Sequence, residues 1–491
     1  MPSLNRPILV DRQREIRELR ELVATSGPQM GLLYGRRRVG KTYLLQHAWG
    51  NESRVFYFLA GRVTSEQNRQ DLLRQLAEWT GDDVHIDDYP NWRTTFRRLF
   101  EEARDEPAIV VLDEFQYLLG TSDEKSRKVT SQLNAIWDGE VQKERRNLTL
   151  ILCGSEVGTM EGLGAGGPLY GRISWRQRLQ PFDYFDAAAM VPERPLREKA
   201  YLYGIFGGIP EYLDALRESE ALDEAVCRTI LSPRGEVHFQ LERLLEQEEG
   251  LRNPRKYRAV LAAVASGATS TNEIKQRAFA GGTAHRVRRV LETLEDLGLV
   301  RRERNFDAGR KQAWRNYVAD QAVQFWYRFV HPNRSRLEAG EVRPVWEHRV
   351  EPQLDRYMGK IFEEMVSDAY DRHHKRWGLP PAARWGRWEG VDRNRDSVEV
   401  DIVAELHDGR TLTGEVKWSS SPVDIDLHFS HLASLEALAK SGQRWAHNAL
   451  EDESSAGHLY VSAAGFSDTF HQRSTTDGSI HLVDLGDLYA H

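Results

Sequence analysis

The stretch Gly35-Arg36-Arg37-Arg38-Val39-Gly40-Lys41-Thr42 constrains this chain more than any other. It follows an apolar run, Met30-Gly31-Leu32-Leu33-Tyr34, that reads as a buried strand, and it precedes Tyr43-Leu44-Leu45-Gln46-His47-Ala48, which reads as a helix. In a strand, G-x-x-x-x-G-K-[ST], helix arrangement, the glycines let successive backbone N–H groups converge on phosphate oxygens. The helix N-terminus adds its partial positive charge. The loop residues Gly35, Arg36, Arg37, Arg38, Val39 and Gly40 are therefore expected to cradle a nucleotide. Lys41 is expected at the β- and γ-phosphates and the Thr42 hydroxyl on Mg²⁺, so the cofactors implied are ATP and Mg²⁺.

A loop of this kind needs a parallel sheet behind it. Val55-Phe56-Tyr57-Phe58-Leu59 predicts a second strand, with helices through Leu72, Leu73 and Leu76 and from Trp92 to Phe100. Ala108-Ile109-Val110-Val111-Leu112-Asp113-Glu114 is continuously apolar and ends in two acids, which suits a strand covered on both faces with its carboxylates at the ligand-binding edge. In this Walker B pattern Asp113 holds Mg²⁺ through water, and Glu114 orients or deprotonates the attacking water. The next buried strand, Leu148 to Gly154, delivers Ser155, which either contacts the γ-phosphate or caps the following segment. Arg172, after a glycine-rich loop at Gly162 to Gly167, is either an arginine finger, in cis or across a subunit interface of a homo-oligomer, or a salt-bridged surface residue. Upstream, Asp11 is the expected N-cap of a first helix through Ile16, Leu19 and Leu22.

Composition narrows the setting. The net charge is −7, from 67 Lys and Arg against 74 Asp and Glu, so a uniformly basic nucleic-acid coat is excluded while local basic faces are not. Two cysteines, Cys153 and Cys227, make neither a disulfide framework nor a zinc set. No stretch has the apolar length of a membrane span, and the N-terminal residues lack a signal-peptide core, so a cytoplasmic protein without membrane contact is expected.

The segments Tyr34-Gly35-Arg36-Arg37-Arg38-Val39-Gly40-Lys41-Thr42, Leu112-Asp113-Glu114-Phe115-Gln116 and Leu169-Tyr170-Gly171-Arg172 resemble the archaeal-type ATPase family, a branch of the AAA/STAND group of P-loop NTPases. The lead-in Leu9-Val10-Asp11-Arg12-Gln13 is similar to the segment that lies near the adenine in many AAA-like ATPases, which implies that role for Val10 and Arg12; the same residues also read as the start of a surface helix with no ligand role. Phe206-Gly207-Gly208-Ile209-Pro210-Glu211-Tyr212-Leu213 resembles the family's helical-lid motif, which implies a nucleotide-side position for Pro210; the same residues also read simply as a helix breaker. The ATPase core with its lid is expected over residues 1–235.

Residues 236–345 read as a second module. Helices are marked by Tyr257, Val260, Leu261 and Val264, by Thr269-Ser270-Thr271-Asn272-Glu273-Ile274 with a hydroxyl cap, and by Val287, Val290, Leu291, Leu294 and Leu297. A ribbon from Arg301 follows. Three short helices and a ribbon look like a winged helix-turn-helix. Its third helix carries Arg286, Arg288 and Arg289 opposite the apolar face, suited to DNA phosphates or simply to solvent. Asn316-Tyr317 and Phe325-Trp326-Tyr327-Arg328-Phe329-Val330, matched from Asp320 to a family segment, read as packing between modules.

Residues 346–491 read as a third. Tyr357-Met358-Gly359-Lys360-Ile361-Phe362-Glu363-Glu364 lies on an amphipathic helix. Alternation in Val398-Glu399-Val400-Asp401-Ile402 puts Glu399 and Asp401 on one strand face. Beyond the turn at His407-Asp408-Gly409, Glu415 and Lys417 point the same way and can meet Asp401. Asp401 and Glu415, completed by Glu363, would bind Mg²⁺, and Lys417 would hold an attacking water, as metal-assisted phosphodiester hydrolysis requires. These residues resemble the PD-(D/E)xK restriction-endonuclease fold. Together the expectation is an α/β P-loop ATPase with helical lid, winged helix and C-terminal nuclease-like domain, partnered by ATP and DNA. The alternative is a STAND-type regulatory switch whose nuclease-like domain only binds.

Overall fold

The two most apolar runs of the chain form the middle of a parallel sheet, buried at every position, because strands covered on both faces have no solvent side on which to carry polar residues. The computed structural model describes residues 12–50, 53–120, 123–164, 166–248, 251, 253–279, 283–309 and 314–490, in two compact units divided between Pro181 and Phe182. No helix among the described residues is long and apolar enough to cross a membrane.

The first unit runs α1 (Gln13–Ala24), β1 (Gln29–Tyr34), α2 (Lys41–His47), β2 (Val55–Leu59), α3 (Ser65–Thr80), α4 (Trp92–Glu101), β3 (Ala108–Asp113), α5 (Gln116–Leu119), α6 (Asp123–Ile136), β4 (Leu148–Gly154), α7 (Val157–Gly164) and β5 (Trp175–Arg178). Its sheet has the order β2-β3-β4-β1-β5, with every pair parallel. The register aligns Tyr34 with Gly154 and Leu59 with Asp113, so the C-terminal ends of β1, β2, β3 and β4 share one edge. That edge is where open α/β sheets bind ligands. Behind it, Phe56, Phe96, Phe100, Val110, Leu112, Trp137, Leu150 and Leu152 pack into one core. At about 1.5–3 kcal/mol for each large side chain buried, this core fixes the positions of the strand ends.

One helix start differs from expectation. α1 begins after Arg12, which occupies the N-cap position with a left-handed φ of 84° and makes no capping hydrogen bond. Asp11, the expected cap, and Val10 lie outside the described residues. The buried Arg12 guanidinium donates to the carbonyls of Gln180 (2.7 Å) and Val39 (3.4 Å), which ties the helix start to the phosphate-type loop.

The second unit opens with α8 (Tyr184–Ala189), α9 (Leu196–Phe206), α10 (Pro210–Asp214), α11 (Leu222–Val226), α12 (Glu236–Glu242) and α13 (Leu244–Gln247). The lid segment that the sequence groups with the ATPase sheet thus falls in this unit from Phe182 onward. Gly208 stands where any Cβ would collide with the Phe182 carbonyl, so this position requires glycine. Then come α14 (Pro254–Ala265), α15 (Thr271–Ala278) and α16 (Ala284–Asp296), followed by an antiparallel pair, β6 (Val300–Glu303) and β7 (Arg315–Val318). Ser270 and Glu273 form the capping box of α15. Val287, Val290, Leu291 and Leu294 are buried on α16, while Leu297 follows as its half-buried C-cap.

α17 (Gln321–Phe325), capped by the Asp320 carboxylate, starts the aromatic segment. Phe325, Trp326, Phe329 and Val330 are buried, with Phe325 and Phe329 against Tyr357 and Trp326 against His238, which is packing rather than an exposed stacking platform. After α18 (Arg334–Glu338) and α19 (Val342–Val345) comes the long α20 (Glu351–His373). A second sheet follows, built from β8 (Ala382–Val391), β9 (Ser397–Leu406), β10 (Thr411–Lys417), α21 (Asp426–Lys440), α22 (Arg444–Leu450), β11 (Ser455–Ser462), α23 (Asp468–Thr476), β12 (Ile480–Asp484) and α24 (Leu485–Leu488). Its order is β12-β11-β10-β9-β8, antiparallel from β8 to β10 and parallel from β10 to β12.

Helix α9 is built into this C-terminal region. Gly204 faces Met358 so closely that a Cβ would displace its sulfur, and the Tyr357 hydroxyl donates to the Gly204 carbonyl at 2.8 Å. Arg197 lies 4.4 Å over the Trp418 ring and donates to the Ser419 carbonyl at 2.8 Å, while Trp418 donates to Asp355 of α20 at 3.0 Å.

Candidate nucleotide site and candidate metal centre

The loop between β1 and α2 has left-handed backbone at Gly35, Arg38 and Gly40, with φ values of 155°, 70° and 92°. A Cβ at Gly35 would strike the Leu179 carbonyl at the end of β5, so the close approach of neighbouring strands selects glycine there. Lys41 is buried at the first turn of α2, and its ammonium donates to the carbonyls of Gly35 (2.8 Å) and Arg36 (2.9 Å). Burial pulls the Lys41 ammonium below its ordinary value, against the opposing pull of Glu114 and Asp113. Arg37 donates to the Tyr117 hydroxyl at 2.8 Å. Val39 is fully buried.

Facing the loop, Asp113 ends β3 fully buried and accepts from the Thr42 hydroxyl at 2.8 Å and from the Tyr57 hydroxyl. A hydroxyl and a carboxylate are hard oxygen donors, the chemistry Mg²⁺ takes beside nucleotide phosphates, so this donor set fits ATP with Mg²⁺. Glu114 leaves the strand with φ 52°, a left-handed conformation costing about 1–2 kcal/mol in a residue with a Cβ. This twist turns its carboxylate toward β4, where it accepts from the Ser155 hydroxyl at 2.7 Å and from the Gln116 amide. Lys41, Thr42, Asp113, Glu114 and Ser155 are thereby brought to one edge. Tyr57 and Gln116 escaped the sequence reading. Tyr57 alternates with Phe56 and Phe58 and so faces away from them, which is a usable signal, whereas Gln116 carries none.

Other sequence candidates stand apart from this cluster or carry different partners. Arg172 is held by both oxygens of Asp138 (2.5 to 3.2 Å), the bond pattern of its salt-bridged reading. Pro210 is the first residue of α10, where its missing N–H costs nothing. Arg286, Arg288 and Arg289 are all exposed on α16, with Arg286 lying 5.1 Å from the Phe279 ring.

In the second sheet, Lys417 bridges the two strands that were expected to meet. Its ammonium lies 3.1 Å from Asp401 Oδ2 and 2.8 Å from Glu415 Oε2, and the Val416 N–H donates to Asp401 Oδ2 at 3.0 Å. The two acids respond in opposite directions. Burial works to raise Asp401, but the Lys417 cation and the Val416 N–H outweigh it and hold the carboxyl below its usual range. Glu415 has the same burial plus the charge of Asp401 against it, and Lys417 does not compensate, so it is pushed up to about 7. Burial would lower Lys417, and the two acids hold it raised instead.

Glu363, from α20, has its carboxyl raised by burial, with Lys360 at 2.6 Å and Arg387 at 3.7 Å opposing. Among the described residues, Glu363, Glu399 and Asp401 each bring a carboxylate oxygen within 4.8 Å of the others. An all-oxygen set suits Mg²⁺ or Mn²⁺. Glu399 was on the expected face of β9 beside Asp401 without being singled out, and Arg387 is its ion-pair partner. Glu415 instead turns one oxygen to Lys417 and the other to the buried His431. His431 lies on α21, too far along the chain for spacing to reveal it.

Residues 9–216 match an ATPase domain predominantly from Archaea, and residues 326–427 match a domain of archaeal and bacterial proteins of unknown function. The second match spans α20, β8, β9 and β10 and so includes Glu363, Asp401, Glu415 and Lys417. An uncharacterized protein of Methanocaldococcus jannaschii is 25% identical over 420 residues, covering 84% of this chain and 88% of the relative. Another from the same organism is 32% identical over 96 residues, 20% of this chain and 87% of that one. Among solved structures, a Walker-type ATPase of Pyrococcus abyssi aligns with a TM-score of 0.50 at 24% identity, over 66% of this chain and 99% of its own, a likeness of fold.

Proposed function

Because the chain belongs to the archaeal-type ATPase family, we propose that it hydrolyses ATP at the edge of its first sheet and couples nucleotide state to nucleic acid engaged by its second unit. The observation that carries the first half is the Thr42–Asp113 hydrogen bond of 2.8 Å set between Lys41 and Glu114. Lys41 would exchange the carbonyls of Gly35 and Arg36 for β- and γ-phosphate oxygens. Thr42 and Asp113 would hold Mg²⁺, which supplies charge neutralisation. Glu114 would align the attacking water and accept its proton, with Ser155 orienting the Glu114 carboxylate. In Glu114→Gln the shape and the Ser155 hydrogen bond persist while basicity is lost. Fluorescent-nucleotide titration should show ATP affinity within about threefold of wild type, and phosphate release should fall by about 10²–10⁴-fold. Turnover close to wild type would remove Glu114 from the role.

The three helices α14, α15 and α16 with the β6–β7 ribbon support a winged-helix reading, and the exposed Arg286, Arg288 and Arg289 support DNA as the partner. Reversing all three to glutamate should weaken duplex DNA binding and flatten the slope of log affinity against log salt by about 0.9 for each phosphate the protein no longer neutralises. Fluorescence anisotropy at several salt concentrations measures both. An unchanged slope would assign α16 to protein contacts.

The Asp401–Lys417–Glu415 cluster beside Glu363 supports a PD-(D/E)xK nuclease-like domain, with the acids as metal ligands and Lys417 holding the attacking water and stabilising charge on phosphorus. A specific observation also favours a second reading, a regulatory switch. The acids already have protein counter-ions, Lys417 for Asp401 and Glu415, and Lys360 and Arg387 for Glu363. On that view the domain binds nucleic acid or protein without cutting.

A further inference from the structure

Beside Glu415 lies a line of buried polar side chains with no part in the chemistry described above. His431 Nδ1 is 3.1 Å from Glu415 Oε1, and His431 Nε2 is 3.0 Å from the Thr413 hydroxyl. The same hydroxyl is 2.9 Å from His458 Nδ1. The His431 side chain is wholly excluded from solvent, and Thr413 and His458 are buried with it. These residues come from three different elements, α21, β10 and β11.

A buried polar side chain costs stability unless each of its groups is paired, and an apolar residue would fill this space at no such cost. The pairing here has one evident beneficiary. His431 occupies Oε1 of Glu415 and leaves Oε2 directed at Lys417, on the side shared with Asp401. With Nδ1–H donated to the carboxylate, Nε2 is the acceptor, and the Thr413 hydroxyl satisfies it by donating; Thr413 then accepts from His458. The acceptor-only carboxylate thus sets the His431 tautomer, the Thr413 hydroxyl completes it at Nε2, and His431 in turn holds the rotamer of Glu415. Outer partners that lock a ligating carboxylate in this manner typically change metal affinity by about 10–100-fold when removed.

We infer that His431 and Thr413 are positioning residues that hold the Glu415 carboxylate as a metal ligand, presenting Oε2 toward Asp401. The inference rests on the metal-centre reading of the second sheet, and the test separates the two. Mn²⁺ is titrated into the full-length protein without nucleotide, followed by electron paramagnetic resonance, with Asp401→Ala identifying the sites lost from this centre. His431→Phe should weaken that Asp401-dependent binding by about 10–100-fold. His431→Asn, whose amide N–H stands in for Nδ1–H, should restore it to within a few-fold of wild type. Thr413→Val, close in shape, removes the hydroxyl shared by His431 and His458 and should weaken it several-fold; with a thermal melt to verify its fold, it decides the matter if His431→Phe does not fold. Wild-type Mn²⁺ affinity in folded His431→Phe or in Thr413→Val overturns the positioning role while leaving the metal centre standing. Absence of any Asp401-dependent Mn²⁺ binding in the wild-type protein overturns the centre itself, and the role falls with it.

Discussion

Lys41→Ala is expected to lower ATP turnover by at least about a hundredfold, in line with the loss caused by deleting one preorganised donor aimed at developing charge. The ammonium is buried at the start of α2 and already points into the loop, where it bonds the carbonyls of Gly35 and Arg36. Phosphate oxygens would replace those carbonyls with no large movement of the side chain, so little reorganisation is needed when nucleotide arrives. Two neighbouring loop side chains are engaged elsewhere. Arg37 is bonded to Tyr117, and Thr42 is committed to Asp113. Truncation leaves two carbonyls without this donor, which by itself costs about 1–3 kcal/mol. The measurement is therefore phosphate release at saturating ATP alongside a thermal melt. Retained turnover in a folded Lys41→Ala protein would dismantle the nucleotide site.

The second large effect concerns the C-terminal sheet. If the domain cuts, Asp401→Asn should reduce Mg²⁺- or Mn²⁺-dependent cleavage of DNA or RNA by about 10²–10⁴-fold, and Lys417→Met by a comparable factor. The two substitutions act for different reasons. Asp401 is the acid whose charge Lys417 and the Val416 N–H stabilise, so it is the ionised member of the pair and would be the stronger ligand for a metal. Lys417 is held cationic by both acids, with its ammonium 3.1 Å from Asp401 and 2.8 Å from Glu415. In Lys417→Met, Glu415 and Asp401 lose their shared counter-ion, so metal affinity should rise even as cleavage falls. That opposite movement separates loss of chemistry from loss of fold. No cleavage by the wild-type protein with either metal, with or without ATP, would favour the switch reading.

Much of this was legible in the residues because the relevant physics is local. The loop, the acids that end β3 and the strands around them follow from continuous apolar runs ending in charge, and α15 announces itself through Ser270 and Glu273. Asp401, Glu415 and Lys417 meet because two strands joined by a tight turn at Gly409 can bring their faces together only across the ladder that forms. What the sequence concealed depends on pairing between distant segments. Tyr57 reaches Asp113 because β2 lies beside β3, and His431 reaches Glu415 because α21 packs on the sheet. Arg12, at the start of α1, likewise reaches Val39 and Gln180, far along the chain, through hydrogen bonds that spacing does not reveal.

The burial of α9 against α20 and the end of β10 has a consequence for how such chains diversify. Gly204 has no room for a side chain beside Met358, and the Arg197–Trp418–Asp355 contacts begin one residue beyond Lys417. The joint combines a buried helix contact at Gly204 with half-exposed polar contacts at Arg197 and Trp418. Exchanging the C-terminal region for an unrelated one would strand an apolar helix face and several half-made polar contacts. Recombination is therefore expected to preserve residues from α9 through β10 as one inherited block, with freer shuffling at junctions that lack such packing.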